Sequence, residues 1–376
     1  MNTKFLKTLY TLIIVSLLLV ACAAPTAAPT ATAVPEEPTA VEEAQPTDTA
    51  APAATETVAP KPPVKLTLVA YSTPAEAYAE IIPLFVAYWK ETHNQDVTFE
   101  QSYAGSGAQS RAVIGGLEAD IVALSLEGDV TNIAKADLIK RDWQAVAPKN
   151  GIVHASIVGF AVRKGNPKGI KDWADLAQPG LEILTPDAKT SGGAQWNVFA
   201  LYGAALRGKI KDVPANDEDA ATKFLTSVLK NVTALDKDAR GSITNFESGN
   251  GDLAITYENE VSLGQLRGQD YELVIPSSTI LIENPVAVVD VYSDKHGVTE
   301  VADAFVQFIF TKPAQEIFSK YGFRSSDPEV LKAAGDKFPA IADLFTIGEQ
   351  FGGWKNKDKY FGDTGIYNTA ITEAQK

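Results

Sequence analysis

The chain has 376 residues, 45% of them hydrophobic and 21% charged, with a formal net charge of −14. So acidic a chain is a poor partner for nucleic acid or an anionic membrane surface, and its long-range field repels an anionic ligand, so any anion site must rely on short-range, fixed donors. Its single cysteine, Cys22, excludes an internal disulfide, so an exported domain must be held by its core alone.

Lys4 and Lys7 precede an apolar stretch from Leu9 to Ala21. That is short of the roughly 20 residues a membrane span needs, and residues 1–21 have the layout of a signal peptide. The stretch ends in Leu19-Val20-Ala21-Cys22, which is similar to the lipobox of bacterial lipoproteins and makes Cys22 the expected lipidation site. Residues 22–64 are almost entirely Ala, Pro, Thr, Glu and Val without an aromatic residue. Such a segment cannot offset its ordering entropy by burial, which predicts a disordered tether. The remaining 376 − 64 = 312 residues suffice for two lobes.

Strand-like and helix-like segments then alternate, the pattern of an α/β fold. Leu66 to Tyr71 reads as a buried strand, and Pro74 opens a helix through Lys90. Val97 to Tyr103 is a second strand, Ser106 to Leu117 a helix, and Ile121 to Leu124 another strand. Ile157 to Arg163, Glu182 to Thr185 and Leu253 to Tyr257 continue the strands. Ser191 to Leu206, Thr222 to Leu229 and Val301 to Phe310 carry helical spacing. The long apolar segment Tyr271 to Val289, broken by Pro276 and Pro285, reads as a return crossing between lobes, with the outgoing crossing near His154 to Phe160. The expected division is 65–155 and 276–376 for one lobe and 156–275 for the other.

Several strands end in small polar residues that lead straight into a helix: Ser72-Thr73-Pro74, Gly105-Ser106-Gly107 and Thr190-Ser191-Gly192-Gly193. A helix N-terminus exposes unpaired N–H groups and a partial positive charge, which suits an anion. Glycine lets the backbone approach a ligand closely and serine adds a hydroxyl. Ligands of open α/β sheets bind at such strand ends. Each element alone fits an ordinary N-cap; three together, two with flanking glycine, point to a shared site. No Gly-Lys-Ser/Thr phosphate loop or GxGxxG is present.

These residues also carry a resemblance. From about Leu66 to Tyr367 the chain resembles the bacterial sulfate-binding proteins of ABC transporters, through Gly105-Ser106-Gly107, Gly116-Leu117-Glu118-Ala119-Asp120, Val162-Arg163-Lys164-Gly165-Asn166-Pro167, Thr190-Ser191-Gly192-Gly193-Ala194, Ala239-Arg240-Gly241, Tyr257-Glu258-Asn259-Glu260 and Phe351-Gly352-Gly353-Trp354. The resemblance implies a two-lobe α/β fold of the type II periplasmic-binding-protein kind, with two crossing strands. It further implies that a dehydrated dianion is held by neutral donors: backbone groups of Ser72, Ser106, Gly192, Gly193 and Ala239, hydroxyls of Ser106 and Ser191, and the side chain at 257. The implied partners are sulfate and an ABC permease, with no cofactor, no metal and no enzymatic activity. Together with the Cys22 anchor, they place a monomer outside the cytoplasm on the membrane.

This chain departs from the family's pattern in three places. Ser72 stands where the family has Asp, Gln195 where it has Arg, and Tyr257 where it has the Trp whose indole donates to the ligand. The serine–serine–alanine–tyrosine set is similar to that of molybdate-binding relatives. Thiosulfate, molybdate or another tetrahedral oxyanion therefore stand beside sulfate. An exported serine hydrolase is the alternative from another class, against which the lack of a placed base argues.

Other patterns reduce to local structure. Asp236, Asp238, Gly241 and Glu247 follow EF-hand spacing, but Arg240 occupies a position that needs a ligand oxygen. Ser227-Val228-Leu229-Lys230 fits SxxK without the other elements of that chemistry. His93 and His296 sit in polar turns outside any ligand cluster, and Asp217-Glu218-Asp219 reads as a solvated helix start.

Overall fold

A computed structural model describes residues 60–376; the expected signal peptide, Cys22 and nearly all of the tether lie outside the described residues. The described residues begin just ahead of the expected boundary. The Lys61 N–H donates to the Asn94 carbonyl, and Val64 already pairs with Val97.

The first sheet is built from β1 (Val64–Tyr71), β2 (Val97–Ala104) and β3 (Ile121–Ala123), all parallel. The connections are α1 (Ala75–His93) and α2 (Ser106–Ile114). In α1, Tyr78, Ile81, Ile82, Phe85 and Trp89 recur at helical spacing and are buried. The helix stops at Asn94, which takes the left-handed conformation. Helix α2 ends three residues short of Leu117, because Gly115 and Gly116 follow, the latter at φ +107°. Next come α3 (Glu127–Lys135) and α4 (Trp143–Val146).

Strand β4 (Ile152–Val162) is longer than expected and leaves this region for the second. There β5 (Ile183–Pro186), β6 (Val232–Asp236) and β7 (Leu253–Tyr257) are linked by α5 (Gly192–Leu206), α6 (Glu218–Leu229) and α7 (Ala239–Glu247), with α8 (Glu258–Leu266) after β7. Helix α5 is buried on every side, as its near-continuous apolar sequence requires. Asp217 caps α6 by accepting from the Ala220 N–H, as the acidic run predicts.

The return runs through β8 (Glu272–Val274) and β9 (Ser278–Val288). Strands β4 and β9 are antiparallel partners over Ile152–Ile157 and Leu281–Pro285. Beyond that stretch, Val286–Val288 joins β3, whereas Val158–Val162 joins β7. The overall order β2-β1-β3-β9-β4-β7-β5-β6 is thus two sheets joined by two crossing strands, near the two segments that the sequence marks as crossings.

Helices α9 (Asp290–His296), α10 (Thr299–Phe308) and α11 (Lys312–Lys320) return to the first sheet's side, where Phe305 and Phe318 pack against Tyr78. Short strand β10 (Arg324–Ser325) pairs with β4, followed by α12 (Pro328–Ala333). The last segment comprises β11 (Asp343–Phe345), α13 (Ile347–Phe351), α14 (Lys357–Phe361) and α15 (Ile366–Ala374). The sequence reading groups all of 276–376 with 65–155, but α13 packs on α5 and α15 on α6. The aromatic rings Phe351, Tyr360 and Phe361, which face Phe199, account for this departure. They complete the buried face of α5.

Candidate functional site

The predicted small residues other than Ser72 stand at helix starts. Ser106 is the first residue of α2, Gly192 and Gly193 open α5 behind the cap Ser191, and Ala239 opens α7 behind the cap Asp238. Tyr257 ends β7, and Ser72 follows β1. Except for Ser72, which lies at the margin of the buried set, these residues are wholly enclosed.

Close approaches join them, at Gly193 within the second region and at Gly192 and Gly105 between the two. A Cβ on Gly193 would lie 2.8 Å from Tyr257 Cε2, 3.1 Å from Ala239 Cβ and 3.3 Å from Ser191 Oγ. A Cβ on Gly192 would lie 2.7 Å from Ser125 Oγ, and one on Gly105 would lie 2.4 Å from the Thr190 carbonyl oxygen. Both glycines of α5 are therefore needed for space, not for backbone conformation. Thr190 also accepts from the Ala108 N–H at 3.2 Å, so the start of α2 meets the start of α5 directly. Ser72 makes none of these approaches itself. Its neighbours do: Tyr71 packs on the Tyr257 ring, and the Thr73 carbonyl accepts from Arg240.

The donor inventory follows. Ser191 Oγ accepts from the Ala194 N–H, which leaves its hydroxyl hydrogen free. The N–H groups of Ser106, Gly192, Gly193 and Ala239 find no acceptor among the hydrogen bonds of the described residues. Four unpaired N–H groups in a buried cluster are costly unless something accepts from them. The Ser106 hydroxyl is a correction to the expected set: it donates to Asp129 Oδ2 at 2.7 Å and accepts from the Ser125 N–H at 3.0 Å. Its hydrogen is committed to a carboxylate.

The sequence reading missed several residues. Ser125 follows β3 and hydrogen-bonds Tyr257 Oη at 2.7 Å. It too is a strand-end serine, but no glycine flanks it and acidic Glu127 opens the next helix, so the signal that marks the others is lacking. Asp129 is a buried carboxylate behind Ser106, partnered by Lys357 Nζ at 3.3 Å. Lys357 comes from the C-terminal segment, whose Trp354 lies against both Gly128 and Trp196.

Beside Ala239, Arg240 forks between Glu76 on α1 (2.6 and 3.0 Å) and Glu260 on α8 (2.7 and 2.9 Å), and Arg267 pairs with Glu76 as well. Burial pushes the Glu260 carboxyl up, only partly offset by Arg240. Glu76 is held below the usual carboxylate range, because the two arginines outweigh its own partial burial. Burial also pushes the Tyr257 hydroxyl well up, so it stays protonated and able to donate. The charges near the cluster are therefore paired with one another, and the groups left to face inward are neutral donors.

The EF-hand-like loop is accounted for locally. Asp236 accepts from Ser242 and Asn245, Asp238 caps α7, and Glu247 accepts from Tyr271. Among the described residues no cluster of His, Cys, Asp or Glu suits a metal ion.

A family model described as bacterial extracellular solute-binding protein matches residues 66–324. The chain is 47% identical over 312 residues to the sulfate-binding protein of Synechococcus elongatus, covering 81% of this chain and 86% of that protein. It is 41% identical over 309 residues to the sulfate-binding protein of Escherichia coli, covering 81% and 92%. Among solved structures, the sulfate-binding protein SubI from Mycobacterium tuberculosis H37Rv superposes with a TM-score of 0.72 at 36% identity, covering 79% of this chain and 99% of that one.

Proposed function

The chain belongs to the bacterial extracellular solute-binding protein family, and from that premise we propose that it binds sulfate between its two lobes and delivers it to an ABC-type permease. The observation that carries this reading is the group of buried N–H donors without acceptors at the starts of α2, α5 and α7. Sulfate is fully ionised at neutral pH and offers only acceptors, so it can satisfy every donor of such a site and needs none of the site's acceptors. Three helix starts converging on one point supply fixed partial charge without a bare cation.

In this reading Ser106, Gly192, Gly193 and Ala239 donate backbone N–H groups, as does Ser72 at the edge of the set. Ser191 and Tyr257 donate hydroxyls. The lobes comprise 65–155 with 276 onward, and 156–275, less the C-terminal helices that pack on α5 and α6. They close by bending at β4 and β9. Cys22 carries the lipid, the part of the 22–64 segment ahead of Lys61 gives the folded part reach from the membrane, and the chain acts as a monomer. The protein is a transport component, not an enzyme.

Calorimetric titration of the full chain with sulfate, thiosulfate, molybdate and phosphate tests the reading. Sulfate should bind most tightly. If thiosulfate or molybdate outranks it, the site is intact but its ligand is misassigned. If none of the four binds, the oxyanion reading is wrong.

A further inference from the structure

Ser125 and Tyr257 approach each other from opposite sheets. Ser125 follows β3 of the first and Tyr257 ends β7 of the second, and their hydroxyl oxygens are 2.7 Å apart. Both are about 1% exposed, and neither hydroxyl makes another hydrogen bond among the described residues. Two hydroxyls bring two hydrogens, and the bond between them uses one. Whichever group donates, one buried O–H remains without an acceptor. The nearby Asp129 carboxylate accepts from Ser106 and Lys357 and makes no hydrogen bond with either hydroxyl among the described residues.

The leftover hydrogen has a defined place. Ser125 Oγ sits 2.7 Å from where a Cβ on Gly192 would be, and the Tyr257 ring sits 2.8 Å from where a Cβ on Gly193 would be. The pair therefore flanks the two unpaired N–H groups that open α5. Ser125 is fixed there by its own backbone: its N–H donates to Ser106 Oγ, and its carbonyl accepts from Trp196 Nε1 at 3.1 Å and Asn284 Nδ2 at 3.2 Å. Those partners belong to α2, α5 and the crossing strand β9. The residue is thus registered to the first sheet, the second region and the hinge together.

We propose that Ser125 is a further oxyanion-site residue, acting with Tyr257 as one donor unit that gives a single hydrogen bond to the bound dianion and is assembled only when the lobes close. This rests on the oxyanion reading above. Each hydroxyl orients the other, so removing either disorders the donor that remains.

The test is calorimetric titration of the full chain with sulfate, for the natural sequence, Ser125→Ala, Ser125→Cys, Tyr257→Phe and the Ser125→Ala/Tyr257→Phe double variant. Thermal unfolding in sulfate-free buffer shows that each variant is folded. Each single variant should lose about tenfold in affinity, the scale of one hydrogen bond to a charged group. The double variant should lose no more than about the worse single, because interacting groups are not additive. Ser125→Cys keeps the side chain's size but is a weak donor, so it should behave like Ser125→Ala. Binding within about twofold of the natural chain for Ser125→Ala or Ser125→Cys, or losses that multiply in the double variant, overturns the donor unit alone. A natural chain that gives no sulfate heat overturns the oxyanion reading and the donor unit with it.

Discussion

Arg240, one residue past the start of α7, reaches across to Glu76 in the first turn of α1, with Nη1 2.6 Å from Oε1 and Nη2 3.0 Å from Oε2. The same guanidinium holds Glu260, which is wholly buried, and the Thr73 carbonyl. A planar fork suits this task because it binds two carboxylates at fixed angles. Its effect is to tie the start of α7 to the turn after β1 and to the first turn of α1.

Two substitutions should separate the two halves of this contact. Glu76→Gln removes only the reach to α1, so it should weaken sulfate binding by about threefold to tenfold, within the range of a partly exposed ion pair. Arg240→Met leaves Glu260 as an uncompensated buried charge and should cost about 3 kcal/mol of unfolding free energy. Titration calorimetry and urea unfolding read the two effects. If Glu76→Gln binds as tightly as the natural chain, the fork plays no part in closure.

The glycines at the start of α5 allow a steric prediction. Gly192→Ala would put a methyl group 2.7 Å from Ser125 Oγ and 2.9 Å from Leu126 Cγ, both of which follow β3 of the first sheet. Because Gly192 is the first residue of α5, alanine suits its conformation and should not weaken the helix. The variant should fold with near-natural stability yet lose at least about a hundredfold in sulfate affinity, since separating the lobes removes several donors at once. Retained affinity in a folded Gly192→Ala chain would show that the two regions need not meet here.

How much of this was legible in the sequence depended on the range of the interaction. The strand-end serines and glycines, the two crossing segments and the cap at Asp217 were readable, because each is written in three to ten neighbouring residues. The pairs Ser125 with Tyr257 and Arg240 with Glu76 were not, since their members are 132 and 164 positions apart. Ser125 has no glycine beside it to mark close approach. The C-terminal helices were misplaced for a similar reason: their apolar residues say that they must be covered, but not that α5 needs covering.

Asp129 suggests a test of electrostatics. Its carboxylate lies one hydrogen bond behind Ser106, in a site read as an anion's, with Lys357 offsetting only one oxygen at 3.3 Å. A buried negative charge near a dianion opposes binding, and the opposition is little screened by salt. Asp129→Asn keeps an acceptor for the Ser106 hydroxyl and removes the charge, so sulfate affinity should rise about threefold to tenfold. Lys357→Gln should lower it by a similar factor. Affinities that move the opposite way in calorimetry would mean that the carboxylate's main role is to orient Ser106.

Away from the site, His296 lies between two carboxylates, with Nδ1 2.7 Å from Asp120 Oδ1 and Nε2 2.9 Å from Glu118 Oε2; Lys295 pairs with Glu118 as well. The hydrogen bonds to Asp120 and then Glu118 raise the imidazole above its ordinary value near 6.5. A group whose pKa is raised on folding adds stability that is fully present below its unfolded value and is lost as pH rises through the folded value. Asp120 is itself buried and accepts from the Thr67 N–H of β1, so the link ties the end of α9 to the first sheet. Urea midpoints should therefore fall between pH 6 and pH 9 more steeply in the natural chain than in His296→Gln. Equal falls would mean that the histidine contributes nothing beyond what a neutral side chain supplies.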